Sequence, residues 1–172
     1  MKNETLENYF RNVWKPNTSK YTYSGWDVCN KIPKNHKILD VGCGYNEFKN
    51  IFNENLIGID PYNSNADIEV SIEDFHTDEM FDSIICFGSI NFGDENTIMK
   101  QINKVTSLCK SGGTIYWIQN PGKKDHANIE CQQIDFFEWS FEKNIEYSKL
   151  FGYNILILAL DENRIYSEWQ KI

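Results

Sequence analysis

The stretch ILDVGCG, residues 38–44, limits what this chain can become more than any other. A short apolar run carries Asp40 near its end and leads at once into two glycines, Gly42 and Gly44. A strand that only closes a core has no need of glycine at its exit. Glycine there lets the backbone turn tightly and lets another group approach it closely. The pattern asks for a strand whose carboxyl end faces something other than core.

The rest of the chain repeats a strand-then-helix layout. Lys37–Val41 reads as a buried strand, followed by a short helix around Glu47–Phe52 and a second strand, Leu56–Ile59. Ile68–Val70 reads as a brief third strand. Ser83–Phe87 (SIICF) is a fourth, with the unbroken apolar run of a strand covered on both faces. The segment DENTIMKQINKVTSLCK then carries Ile98, Ile102, Val105 and Cys109 at helical spacing, and Gly112–Gly113 are expected to stop that helix. Thr114–Gln119 is a fifth strand. The polar segment 120–133 is long for a connector and reads as a binding loop. Ser140 caps a further helix ending at Gly152. Asn154–Leu160 and Arg164–Trp169 are joined by a turn, Asp161–Asn163, short enough only for an antiparallel hairpin. The prediction is an α/β fold: an open, mostly parallel seven-stranded sheet flanked by helices, with an antiparallel C-terminal hairpin strand. One domain is expected over 1–172, with an N-terminal helix or lid segment at 1–30 and the core at 37–172.

Composition narrows the function classes. The 172 residues are 41 % apolar and 15 % aromatic, an ordinary globular mixture. Seventeen basic against 25 acidic residues give a net charge of −8, a field that repels phosphate backbones and excludes non-specific nucleic-acid binding. No apolar run approaches the ~20 residues that span a bilayer, so no membrane association is expected. The N-terminus MKNETLENYF lacks the apolar centre of a signal peptide, which points to a cytoplasmic location. Five widely spaced cysteines form no CxxC or Cys/His cluster, so reduced thiols are expected, and no metal site.

In open α/β sheets a ligand sits outside the carboxyl ends of the strands, where strand order reverses. The second strand ends in IGID with Asp60, 16 residues beyond Gly44. A carboxylate there accepts bonds from two vicinal ribose hydroxyls. ILDVGCGYN followed by IGID resembles motifs I and II of the class I, Rossmann-like S-adenosylmethionine-dependent methyltransferases. The hairpin LILALDENRIYSEW resembles that family's antiparallel last strand. The resemblance runs from about Lys37 to the end of the chain. It implies S-adenosyl-L-methionine as cofactor, S-adenosyl-L-homocysteine as product and methyl transfer as the activity. It also implies that Gly42 and Gly44, with Cys43 between them, line the methionine and ribose, that Asp40 helps hold the loop and the cofactor's amino group, that Asp60 takes the ribose diol with Pro61 beside it, and that Phe87 and Gly88 touch the cofactor. Ser71 falls where the family often has an acidic residue facing adenine, with Glu73 and Asp74 as alternatives and Ile72 beside the ring. The family's third glycine is replaced by Tyr45-Asn46, and asparagine tolerates a positive φ. The short following helix begins with Glu47, an anion beside where a pyrophosphate would go, which weighs against a dinucleotide.

The acceptor is less legible. The cofactor's positive sulfur carries the activation, so the protein mainly aligns and desolvates, and no residue announces itself as catalytic. Asn91 and Asn120 lie on the expected loops, Asn91 being equally a turn former. His126 is either a base or a solvated histidine. YTYSGW, residues 21–26, reads as a lid, with Tyr23 on the cofactor, or as groove filling. Trp139 reads as packing before a helix cap. Asn120-Pro121-Gly122 superficially resembles the signature of amino-methylating DNA enzymes but follows the wrong strand. The acceptor class expected is a small molecule or a protein side chain. A catalytically degenerate cofactor-binding module is the alternative. The oligomeric state is not readable.

Overall fold

The computed structural model describes residues 4–15, 20–122 and 134–172. The elements are α1 (Glu4–Asn8), a π-helical turn (Tyr9–Val13), α2 (Gly25–Lys31), β1 (Ile38–Val41), α3 (Lys49–Phe52), a 3-10 turn (Asn53–Asn55), β2 (Leu56–Ile59), β3 (Phe81–Phe87), α4 (Glu95–Ser107), β4 (Cys109–Gln119), α5 (Phe141–Leu150), β5 (Tyr153–Asp161) and β6 (Arg164–Lys171). They build one mixed sheet in the order β2-β1-β3-β4-β6-β5. β2, β1, β3 and β4 run parallel, while β6 is antiparallel to both β4 and β5. Strand order reverses between β1 and β3, so the crevice expected of this architecture opens at the carboxyl ends of those two strands.

Burial follows the sequence pattern. All four β1 residues are buried, and β3 is buried along Ser83–Cys86. One face of the sheet carries the main core, in which Trp117, Trp139, Trp169, Tyr147 and Tyr153 join Ile98, Ile102 and Val105 of α4. Ile38, Leu56 and Ile85 meet Cys29, Ile32 and Phe52 in a separate cluster. Caps are as the side chains dictate: Asp94 accepts from the Thr97 N–H at the start of α4, and Ser140 from the Lys143 N–H at the start of α5.

Two expectations are corrected. The sheet among the described residues has six strands, not seven. Ile68–Val70 contributes only a single bridge, Ile68 to Ile59. The cause is Asp67, whose Oδ2 accepts the Gly58 N–H at 2.8 Å and so takes a donor of the β2 edge for itself. Ile68 is also 44 % exposed, so pairing there would bury little. Second, Gly112–Gly113 do not stop α4, which ends at Ser107; they sit inside β4. The register passes from Phe81↔Cys109 to Ser83↔Thr114, a bulge that Gly112 accommodates with φ +75°. No helix among the described residues is long and apolar enough to cross a membrane.

Candidate functional site

The turn after β1 is latched to the neighbouring strand. The Gly42 and Cys43 N–H groups both donate to the Ile59 carbonyl, at 2.8 and 3.0 Å. Gly42 and Gly44 have φ +71° and +55°, which only glycine adopts at no cost, and Asn46 has φ +57°. The direction a side chain would take is occupied at both glycines. A Cβ on Gly42 would lie closer than 3.0 Å to Ser89, and one on Gly44 would lie 3.1 Å from Trp14 Cζ3. Protein as well as any ligand therefore requires bare backbone here.

Two carboxylates converge on this turn. Asp60, 8 % exposed, accepts the Gly44 N–H on Oδ2 at 2.9 Å and the Tyr62 N–H on Oδ1 at 2.8 Å. These bonds fix its rotamer while leaving each oxygen a second lone pair. Burial raises its pKa, and the Tyr62, Gly44 and Asn63 amides oppose that shift. Asp40, 2 % exposed, is pushed up to about 8, first by burial and then by the Asp60 charge. Its Oδ2 is buried with no hydrogen-bond partner among the described residues, as are Ser89 Oγ and Asn91 Nδ2. With Asn46 Oδ1, also unpartnered, that makes four such atoms near the exits of β1 and β3, and each is costly unless something meets it. Cys43 is half-buried, and its thiol is pushed up by burial and by Asp40, Asp60 and Asp67, so it stays protonated.

The remaining anticipated residues are spread around this centre. Phe87 ends β3 with its ring edge-on to Phe48, centroids 5.9 Å apart, and Gly88 turns the chain at φ +75°. Ile72 is 5 % exposed within the main core. Ser71 caps its own turn: its Oγ donates to Asp74 Oδ2 at 2.9 Å and accepts the Asp74 N–H. Pro61 follows Asp60 in the bend after β2. Asn91 is fully buried, and its Oδ1 accepts the Asn120 N–H at 3.1 Å, so those two residues meet. Trp139 donates its indole N–H to the Ile90 carbonyl at 2.8 Å and so pins the same loop. His126 lies outside the described residues. No group of three or more His, Cys, Asp or Glu among the described residues is arranged to hold a metal ion.

Tyr23 stacks on Tyr166, with centroids 4.2 Å apart and planes at 8°. The segment around it is clasped to the β5–β6 hairpin: Asp161 accepts the Thr22 and Tyr23 N–H groups, and Arg164 donates to the Tyr23 carbonyl at 2.7 Å. An earlier stretch, within the 1–30 segment expected to be a helix or lid, crosses the crevice instead. Trp14 covers Gly44 and stacks on Tyr45. Phe10 stacks on Tyr62 and meets Phe92 edge-on. Arg11 bridges to Glu69 at 2.7 Å, and Tyr9 is buried with Ile134. Residues 9–14 thus touch loops that follow β1, β2, β3 and β4. The signal was present as aromatics at helical spacing, Phe10 and Trp14, whose rings meet at 6.1 Å.

No family model matches the chain, and no curated protein matches it in sequence. Solved structures do match. N-methyltransferase NodS from Bradyrhizobium japonicum WM9, in complex with S-adenosyl-L-homocysteine, superposes with a TM-score of 0.57 at 15 % identity, over 78 % of this chain and 76 % of that one. The 1,6-didemethyltoxoflavin-N1-methyltransferase of Burkholderia thailandensis, with bound 1,6-didemethyltoxoflavin and S-adenosylhomocysteine, gives 0.62 at 12 % identity, over 79 % and 71 %. A putative S-adenosylmethionine-dependent methyltransferase from Listeria monocytogenes gives 0.64 at 13 %, over 86 % and 97 %. This is the class I methyltransferase fold. Within it, the glycine turn, Asp60 and the β3 exit stand where the chain's strand order opens the crevice, and the missing third strand is a trimming of the sheet's edge.

Proposed function

We propose that the protein is an S-adenosylmethionine-dependent methyltransferase acting on a small molecule. The observation that carries this is the pair Asp40 and Asp60. Two buried, mutually repelling carboxylates at a glycine turn suit a ligand that brings positive charge, such as a sulfonium with an ammonium tail. They oppose a pyrophosphate. When bound, the cofactor supplies an activated methyl group. The chain's part is to hold it: Asp60 on the ribose hydroxyls, Asp40 towards the amino group, and Gly42 to Gly44 with Phe87 and Gly88 along its flank. Among the described residues, the loops at the carboxyl ends of the strands and the N-terminal stretch border the crevice, and these would hold the acceptor.

Calorimetry with S-adenosyl-L-methionine and S-adenosyl-L-homocysteine tests the cofactor, with saturable heat for both expected and none for NAD. Incubating a cell extract with isotope-labelled methyl donor, followed by mass spectrometry, identifies the acceptor. Binding of the product with no labelled acceptor would favour the degenerate module, a reading that the local engagement of the Ser71 hydroxyl by Asp74 also supports.

A further inference from the structure

Among the described residues, no strand pairs with the outer edge of β5, the last strand of the sheet. Natural sheets guard such an edge with lysine, proline, a short strand or a bulge. β5 runs for nine residues, and from Tyr153 to Leu160 it holds neither charge nor proline. Of those devices only a bulge is present, between Ile155 and Ile157, and the residue it carries is Leu156, 52 % exposed. Leu160 is 67 % exposed. α5 packs on both β5 and β6 and continues the apolar edge. On one side of this helix the Tyr147 hydroxyl donates to Glu95 of α4. On the same side Lys143 lies over the ring of Phe137, whose N–H donates to the Asn91 carbonyl after β3. That side faces the middle of the sheet. Phe141 and Ile145 stand two residues either side of Lys143, hence across the helix from it and towards the free edge, and both are exposed.

We infer that β5 is the contact between two copies of this chain, which pair antiparallel along it into one twelve-stranded sheet. Two-fold pairing sets a strand against itself. Here that strand is uncharged up to Leu160, although the chain as a whole carries a net charge of −8. Two acidic chains can therefore meet along β5 without setting carboxylates together. Asp161, at its end, is buried and accepts the Thr22 and Tyr23 N–H groups. A two-fold axis perpendicular to the sheet brings α5 beside its twin, antiparallel and on the same face. Neighbouring strands lie about 4.8 Å apart, so a helix over β5 and β6 stands about 5 Å from the axis and about 10 Å from its twin, the spacing of packed helices. With the helices crossing at Ile145, Lys149 of one copy meets the turn Phe141–Glu142 of the other, which places opposite charges together. The helix pair matters, because a strand edge alone buries less than the roughly 800 Å² per copy of a stable dimer. β5 runs parallel to β4, β3 and β1, so the two crevices open at opposite ends of the joined sheet and neither blocks the other.

Sedimentation velocity of the full-length protein, from low to high micromolar concentration, is expected to show a monomer–dimer equilibrium. Hydrogen exchange at the two ends of that series is expected to show protection appearing in β5 and α5 as the dimer forms. A chain that stays monomeric throughout, or a dimer whose added protection lies elsewhere, overturns the inference, and neither observation needs a variant. Leu156→Lys sets a charge on the edge at an exposed position and is expected to weaken the dimer about tenfold or more, since each copy brings one. Met80→Lys alters an exposed apolar residue just before β3, away from that edge, and is expected to leave the dimer unchanged. Equal weakening by both substitutions, or by neither, overturns the inference.

Discussion

Trp14 lies on Gly44, its Cζ3 3.1 Å from where that residue's Cβ would be, and so joins the N-terminus to the turn that the sequence marked as a ligand site. With Phe10 on Tyr62 and Arg11 on Glu69, the stretch spans the crevice. A nucleoside reaching Asp60 must pass it. Trp14→Ala is therefore expected to speed both association and dissociation of S-adenosyl-L-homocysteine in stopped-flow fluorescence, with a smaller change in their ratio. Unchanged rates would mean the stretch stands clear of the ligand's path.

The pKa of Asp40, about 8, lies above the ordinary carboxylate value of 3.8, so the folded protein holds a proton that the unfolded chain releases. Between those pH values the folded state binds more protons, and its stability falls as pH rises. The facing titratable groups are Cys29 on α2, Asp60 after β2, Cys43 on the turn and Cys86 on β3. The thiols stay neutral over this range. A cationic ligand favours the ionised form, so binding is expected to release a proton near neutral pH and to tighten as pH rises towards 8. Calorimetry in buffers of different ionisation heat measures that proton directly. Asp40→Asn is expected to remove both the proton release and the loss of stability; proton release persisting in the variant would point to Asp60.

Asp60 serves the fold as well as the ligand, because its oxygens satisfy the Gly44 and Tyr62 N–H groups. Asp60→Asn keeps one acceptor and loses the charge. It is expected to weaken S-adenosyl-L-homocysteine binding by roughly 1.5–3 kcal/mol, the range for charge-assisted hydrogen bonds, with a modest fall in Tm. A fall in Tm with unaltered affinity would confine Asp60 to the loop.

How far the sequence could be read depended on how local the cause was. The parallel strands, the Ser140 cap and the hairpin were legible because periodicity and turn chemistry are local, and the glycine turn with Asp60 because both sit at strand ends. The third strand failed because Asp67, a residue outside the run, reaches back to the Gly58 N–H. Gly112–Gly113 were misread because a glycine pair stops a helix or bulges a strand equally well, and only the register with Phe81 and Ser83 decides. Phe10 meets Tyr9 and Trp14 locally, but the partners that tie the stretch to the sheet, Tyr45, Tyr62 and Phe92, lie 30 or more positions further on, beyond what spacing can tell.

Asn46, in the glycine turn, and Gly58, in β2, fit against each other. Asn46 holds φ +57°, and its Nδ2 donates to the Asn65 carbonyl at 3.1 Å, tying the glycine turn to the loop after β2. Its Oδ1 lies so near Gly58 that a Cβ there would come closer than 3.0 Å, with Cys43 Sγ at 3.0 Å behind it. The glycine at 58 thus makes room for the Asn46 side chain. Gly58→Ala alone is expected to destabilise the protein by about 1–3 kcal/mol, the usual cost of overpacking. Asn46→Gly alone keeps the positive φ and loses the tie, costing about 1 kcal/mol. The double variant is expected to be more stable than the sum of the two predicts, since removing the amide empties the space the new methyl needs. Denaturant titration of the four proteins measures that coupling. Strict additivity would show that Gly58 is glycine for some reason other than Asn46.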